Sequence, residues 1–270
     1  MSIAFIGAGN MAGSLINGLL ESGTSPSDIA AADPMPTQLE KLAALGVVTA
    51  ANNDQAIEQA DVIVLAVKPQ VTGQVLEALS GLRPQQLIIS IVAGIDLRSL
   101  EIWLPENQPI VRCMPNTPAL LGAGMTGLFA NSKVNEQQKI AATHILGAVG
   151  EVAWVTEEAH LDAVTAVSGS GPAYFFLLME NMIAAGQKLG LDAELSRKLT
   201  EQTALGAALM AQKHDVDPGT LRKNVTSPGG TTEAALNLML AQGLPATVVE
   251  ALTAAENRAK ELAIEFGAKS

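Results

Sequence analysis

A single cysteine, Cys113, stands among 270 residues. One thiol excludes an intrachain disulfide and any cysteine-rich zinc site. Histidine is nearly as scarce. His144, His160 and His214 lie far apart, and no two share the spacing at which a helix presents metal ligands; no metal is expected. The aromatics are 5 Phe, 2 Trp and 1 Tyr, too few for a surface that stacks bases. Positive charge is thin: 16 Lys and Arg face 27 Asp and Glu, for a net charge of −11. The only adjacent basic pairs are Arg197-Lys198 and Arg222-Lys223. Neither nucleic acid nor an anionic membrane finds a footprint here. The first basic residue is Lys41, so no secretory or organellar leader is expected. The uncharged stretch from Ala163 to Met179 is broken by Ser168-Gly169-Ser170-Gly171-Pro172, far short of a membrane span. What remains is a chain that is 48% hydrophobic and 16% charged. That excludes global disorder and fits one or two domains with a real core. The expectation is a soluble, acidic protein of cytoplasmic type.

The first half alternates short apolar runs with helical patterns. The runs are Ile3–Ile6, Ile29–Ala32, Val62–Val67, Leu87–Val92 and Pro109–Cys113. Runs of this kind read as strands covered on both faces, and their alternation with helices predicts a parallel sheet with crossover connections. From about Glu157 onward no strand pattern is found. Ala173 to Met179 is apolar on every side of a helix, which places it in a deep core or a subunit interface. Further helices are predicted over Asp192–Gln212, Thr231–Gln242 and Leu244–Phe266. The fold class expected is therefore an α/β half over 1–155, Rossmann-like in its alternation, followed by an all-helical half over 156–270.

Gly7-Ala8-Gly9-Asn10-Met11-Ala12 directly follows the first run and opens a helix. In this G-x-G-x-x-A pattern Gly7 permits a tight turn, Gly9 lets a pyrophosphate approach the backbone, and Ala12 permits close helix–strand packing. The helix N-terminus adds free N–H groups and partial positive charge. The pattern alone is weak; its place between a strand and a helix makes it specific. Asp33 ends the second run, 24 residues after Gly9. It suits either an adenosine ribose contact or a local cap before Pro34. As a ribose contact its carboxylate would repel a 2′-phosphate, and no Lys or Arg lies between it and Lys41. This leans toward NADH, or toward use of both cofactors. Lys68, at the end of Ala66-Val67-Lys68-Pro69, and Ala93-Gly94 stand at strand ends, where open α/β sheets bind ligands; Lys68 reads as a contact for cofactor ribose or substrate, with a surface lysine lying on its own stem as the alternative. In the second half, Ser227-Pro228-Gly229-Gly230-Thr231-Thr232 leads into a helix. It reads either as a seat for a small carboxylate on main-chain amides or as plain helix capping by threonine.

With these residues assembled, the sequence resembles pyrroline-5-carboxylate reductases over nearly its whole length. The landmarks are Phe5–Met11, Ala66–Pro69, Met114-Pro115-Asn116-Thr117-Pro118, Val167–Tyr174 and Asn224–Thr232. The resemblance implies NADPH- or NADH-dependent reduction of 1-pyrroline-5-carboxylate to L-proline, the last step of proline biosynthesis. It implies cofactor contacts at Ile6, Gly7, Ala8, Gly9, Asn10, Met11, Asp33, Asn53, Val67, Lys68 and Ala93, with Asn224 reaching in from a partner subunit. It implies substrate contacts at Glu158, Thr231 and Thr232. It implies a Rossmann-like dinucleotide-binding domain over 1–155 and an all-α dimerisation and substrate-binding domain over 156–270, paired into an interlocked homodimer that in the family often assembles further into decamers. Asp33 departs from many members, in which a Ser, a Thr or a basic neighbour suits NADPH. For such a reaction the amides of Gly229, Gly230 and Thr231 are expected to take the substrate carboxylate, and the Thr232 hydroxyl to serve the ring nitrogen as the catalytic contact.

Two other readings compete. A β-hydroxyacid dehydrogenase shares the cofactor domain but needs a lysine base soon after its glycine-rich loop, and none follows Gly171 before Lys188. A non-catalytic NAD(P)-sensing module needs the first glycine loop but not the Ser227–Thr232 segment.

Overall fold

The structure is a computed structural model that describes residues 1–213 and 215–268; His214 lies outside the described residues. The strands are β1 (Ile3–Ile6), β2 (Ile29–Ala32), β3 (Val48–Thr49), β4 (Val62–Leu65), β5 (Leu87–Ser90), β6 (Ile110–Met114), β7 (Gly124–Ala130) and β8 (Gly150–Trp154). They form one sheet in the order β3-β2-β1-β4-β5-β6-β7-β8. The helices of this part are α1 (Asn10–Glu21), α2 (Pro36–Ala44), α3 (Asn53–Ile57), α4 (Thr72–Glu77), α5 (Leu97–Trp103), α6 (Glu136–Gly147) and α7 (His160–Val164). Then come α8 (Gly171–Lys188), α9 (Ala193–Lys213), α10 (Pro218–Asn224), α11 (Thr231–Ala241) and α12 (Leu244–Phe266).

Continuous apolar runs cover both faces of the sheet, as their composition demands. Side chains alternate along a strand, so Ile3 and Phe5 join one core with Val62, Val64 and the α1 residues Leu15, Ile16 and Leu19. Ala4 and Ile6 join the other, with Ile63, Leu65, Ile57 of α3 and Leu100 of α5. The strands β1 to β6 pair in parallel. The expectation of a purely parallel sheet fails at β7, which runs antiparallel to β6. Only a short connection containing the 3₁₀ turn Thr117–Leu121 joins them, and a parallel return needs a long crossover.

The chain divides into two compact units, one of Met1–Ser170 with Ala254–Ser270 and one of Gly171–Thr253. Strands do stop before residue 155, but packing divides the chain later than the expected boundary there. The reason is that α7 and the π-helical turn Thr165–Gly169 pack on the sheet. The last part of α12 belongs to the first unit as well: its Phe266 packs against the core that holds Leu100. In the helical unit α8 and α9 approach closely at Gly186, where a Cβ would lie 2.8 Å from Ser196 Oγ. Yet across α8, α9, α10 and α11 only Gly171, Ser196 and Thr200 are buried. No single helix among the described residues is long and apolar enough to cross a membrane.

Candidate active site

The strand order reverses between β1 and β4, the place where open α/β sheets bind ligands beyond their strand ends. The glycine loop stands there. Gly7 has φ +94°, and a Cβ would meet the Ala66 carbonyl oxygen at 2.6 Å. Its N–H donates to the Ala32 carbonyl at 2.8 Å, tying the loop to the end of β2. Gly9 caps α1 in an extended conformation, and a Cβ there would meet no protein atom within 4 Å. The chain thus needs glycine at 7 for its own backbone. At 9 it leaves open the space that a pyrophosphate would enter, above the first N–H groups of α1. This geometry fits a dinucleotide.

Asp33 serves the loop directly. Its Oδ2 accepts from the Ala8 N–H at 2.7 Å, and its Oδ1 accepts from the Met35 N–H at 2.8 Å. A carboxylate oxygen can accept twice, so this cap leaves lone pairs for a ribose. Beside it a cleft of about 470 Å³ is lined by Asp33, Pro34, Leu39, Glu40, Thr49 and Ala51, among others, and by no lysine or arginine. Lys41, the next basic residue along the chain, lines a different cleft together with Asn10, Asn17 and Gln38. Asn53 is the first residue of α3, whose cap is its neighbour Asn52 accepting from the Gln55 N–H. Val67 and Lys68 follow β4, and Ala93 follows β5. Lys68 has no carboxylate partner among the described residues. The structure therefore brings Ile6 to Met11, Asp33, Val67, Lys68 and Ala93 to one edge of the sheet.

Deeper in the same unit lies a cavity of about 160 Å³ that sequence reasoning missed. Ala93, Arg112, Met114, Asp162, Thr165 and Leu262 are among its walls. Arg112 Nη1 pairs with Glu158 Oε1 at 2.8 Å, and its Nη2 lies 3.9 Å from Asp162 Oδ1. Burial pushes the Asp162 carboxyl above its ordinary range, against the pull of Arg112 and Lys260. The neighbouring Cys113 is buried and donates to the Ser90 carbonyl at 3.1 Å. Burial raises its thiol far enough to keep it protonated and unreactive. Two residues beyond the cavity wall Met114, Asn116 ties the turn at Ser168 to β7, donating to the Ser168 carbonyl and accepting from the Met125 N–H. The π-helical turn Thr165–Gly169 borders it; such turns recur at functional sites.

The remaining sequence-derived residues lie in the helical unit. Ser227 to Gly230 form a turn with Gly229 at φ +70° and a Gly230 N–H to Ser227 carbonyl bond of 3.0 Å. Pro followed by a left-handed Gly makes this a type II turn. The Gly229 N–H donates to Glu233 Oε2 at 2.7 Å. Two of the three amides expected to grip a carboxylate are therefore engaged within the chain. Thr231 and Thr232, both exposed, open α11 with N–H groups that have no partner among the described residues. Asn224, also exposed, ends α10.

Comparison with known proteins decides the family. A pyrroline-5-carboxylate reductase from Pseudomonas aeruginosa is 54% identical over 269 residues, covering 98% of each chain. The chain belongs to the pyrroline-5-carboxylate reductase family. The family model for pyrroline-5-carboxylate reductase dimerisation matches residues 158–262, and one for NADP oxidoreductases, coenzyme F420-dependent, matches residues 2–94. The pyrroline-5-carboxylate reductase structure from Coxiella burnetii has a TM-score of 0.93 at 44% identity, with 97% of this chain and 98% of that one covered. The Plasmodium falciparum pyrroline carboxylate reductase, solved with NADP bound, has a TM-score of 0.86 at 32% identity over the same shares. The resemblance noted in the sequence thus extends to the whole fold.

Proposed function

We propose that this protein reduces 1-pyrroline-5-carboxylate to L-proline with NAD(P)H, as a homodimer in the cytoplasm. The pair of glycines at the switch point, Gly7 demanded by the backbone and Gly9 kept bare above the start of α1, carries the use of a dinucleotide, and kinship to a pyrroline-5-carboxylate reductase at 54% identity over 98% of each chain carries the substrate. Reduced nicotinamide, when bound, supplies the hydride that adds to the ring carbon of the C=N bond. The two electrons of that bond move to nitrogen, which carries a proton and becomes the secondary amine. A cyclic imine is basic enough to arrive protonated, so the protein's work is chiefly alignment. Lys68 and Ala93 flank the crevice. In the first unit Glu158 is read as a contact for the cationic ring nitrogen; in the helical unit the N–H groups of Thr231 and Thr232, after the turn that Gly229 and Gly230 shape, are read as contacts for a carboxylate. Purified protein given pyrroline-5-carboxylate and NADH should oxidise the cofactor and form proline in equal amounts. Cofactor binding with no imine-dependent oxidation would sink the assignment.

The Thr232 hydroxyl serves the ring nitrogen in this reading. Thr232→Val removes one hydrogen bond at the reacting centre, worth about 1–2 kcal/mol, so kcat/KM should fall roughly 5- to 30-fold. An unchanged kcat/KM would assign that hydroxyl to something else.

Cofactor choice follows from Asp33. Its ionised carboxylate is held by two backbone N–H groups, and the adjoining cleft contains Glu40 and no cation. A 2′-phosphate there would meet only negative charge. We expect NADH to be the better substrate. Asp33→Ser should shift the NADPH to NADH ratio of kcat/KM upward about tenfold, the effect of roughly 1.4 kcal/mol. A wild-type enzyme that prefers NADPH strongly would overturn this reading of Asp33 while leaving the reaction untouched.

A further inference from the structure

We infer that Arg112 is a positioning residue: with the Leu97 amide it fixes one oxygen of Glu158 and so presents the other oxygen of that carboxylate to the nitrogen of the substrate ring. The inference rests on the reading of Glu158 as a substrate contact. Three observations support it. Glu158 Oε1 is held twice, by Arg112 Nη1 at 2.8 Å and by the Leu97 N–H at 2.7 Å. Leu97 is the first residue of α5, so its N–H has no partner within its own helix and is free to point at a carboxylate. The Arg112 side chain is nine-tenths buried, at 10% exposure, whereas the Glu158 side chain keeps 27%. The holding group is therefore inside and the held carboxylate reaches solvent.

The geometry explains why an arginine sits inside an otherwise apolar strand. A carboxylate with both oxygens free rotates about its last torsion, and that freedom is lost on binding. Two donors on Oε1 remove it in advance. Oε2 makes none of the hydrogen bonds found among the described residues, and it remains for a cationic N–H. Hydrogen bonding and charge favour the same occupant. Arg112 faces two carboxylates, Glu158 and Asp162, and from α12 Lys260 is paired with Glu256 at 2.7 Å. The free Oε2 of Glu158 can accept from a protonated ring nitrogen, whereas a neutral imine has no proton to give it and a second anion is repelled.

The test uses the intact enzyme and four variants: Glu158→Gln, Arg112→Lys, Arg112→Met and the double change Glu158→Gln with Arg112→Met. KM for pyrroline-5-carboxylate should rise roughly tenfold in both Glu158→Gln and Arg112→Met, while KM for NADH stays within about twofold. The double variant should be no worse than the worse single, because both changes remove one interaction. Arg112→Lys keeps the charge but lacks the fork. It should fold with a thermal midpoint close to wild type and raise the same KM about threefold, and it keeps the test valid if Arg112→Met fails to fold. If Glu158→Gln leaves KM for the imine unchanged, the underlying reading of Glu158 falls and the inference falls with it. If Glu158→Gln raises it but Arg112→Lys does not, or if the effects of Glu158→Gln and Arg112→Met multiply, Glu158 remains a substrate contact and the role of Arg112 is overturned.

Discussion

Gly9→Val will weaken cofactor binding severely and leave the fold intact, whereas Gly7→Ala will damage the fold itself. The two glycines are two residues apart, and their surroundings are opposite. At Gly9 the backbone is extended, φ −69° and ψ −175°, a conformation open to valine, and no protein atom lies within 4 Å of a built Cβ. The loss is confined to a poorer helix cap, less than about 1 kcal/mol. The two γ-methyl groups then occupy the approach of a pyrophosphate to the first amides of α1. NADH affinity should fall about 100-fold or more, the effect of losing roughly 2.7 kcal/mol. At Gly7 the backbone sits at φ +94°, and a Cβ collides with the carbonyl of Ala66, which is main chain and part of the β4 end. Left-handed strain of about 1–2 kcal/mol adds to overpacking of about 1–3 kcal/mol. The thermal midpoint should drop by about 5 °C or more. Calorimetric titration with NADH and thermal melts on both variants check the pair. A Gly9→Val protein that binds NADH like wild type would remove this loop from the cofactor site.

The second large effect is expected from Phe176→Glu. In α8 the consecutive residues Phe175, Phe176, Leu177 and Leu178 are 65%, 63%, 59% and 52% exposed. Four successive positions cover the whole circumference of a helix, so no rotation within one protomer hides them all. The same holds for Leu238 and Leu240 of α11 and for Val249 of α12, all large and exposed. A unit whose buried positions across α8, α9, α10 and α11 are one glycine, one serine and one threonine has no interior of its own. Each Phe or Leu side chain it covers on pairing is worth about 1.5–3 kcal/mol. In a two-fold dimer every such contact is made twice. A glutamate at 176 in both copies forfeits that burial and adds the cost of a desolvated charge. Sedimentation velocity should show the wild type as a dimer and the variant as a monomer at the same concentration, with activity falling about 100-fold or more as the paired helical unit is lost. A wild-type protein that sediments as a monomer, or a fully active dimeric variant, would refute the pairing.

The legible part of the architecture follows a physical pattern. The runs β1, β2, β4, β5 and β6 were readable because a strand buried on both faces must be apolar at every position. The others were not. β3 is two exposed residues. β7 carries Gly124 and Gly127 where strand formers are expected, and the reason is spatial: a Cβ at Gly127 would strike Val164 of α7. β8 alternates between exposed and half-exposed positions and includes no fully buried one. At the site, the Ser227–Thr232 segment shows the limit well. Its residues announced a turn before a helix and an anion-binding character. They did not reveal that Glu233 and Ser227 already engage two of the amides. Arg112 gave one faint signal, a lone charge within an apolar strand. Its partner Glu158 is 46 residues away, and the Leu97 amide that shares Glu158 is 61 residues from it.

Residue order by itself determined the local chemistry: which runs must be covered, where the backbone must turn, which loop bares its amides to a phosphate, and that one long helix is too apolar to stand alone. These depend on neighbours within a few positions and on the conformations those side chains permit. Only the tertiary structure decided which distant groups meet. The antiparallel turn at β7, the return of α12 to the first unit and the Arg112–Glu158 pair arise from contacts between segments far apart along the chain. Such pairings depend on packing and burial summed over the whole fold, and no local stretch of sequence carries that sum.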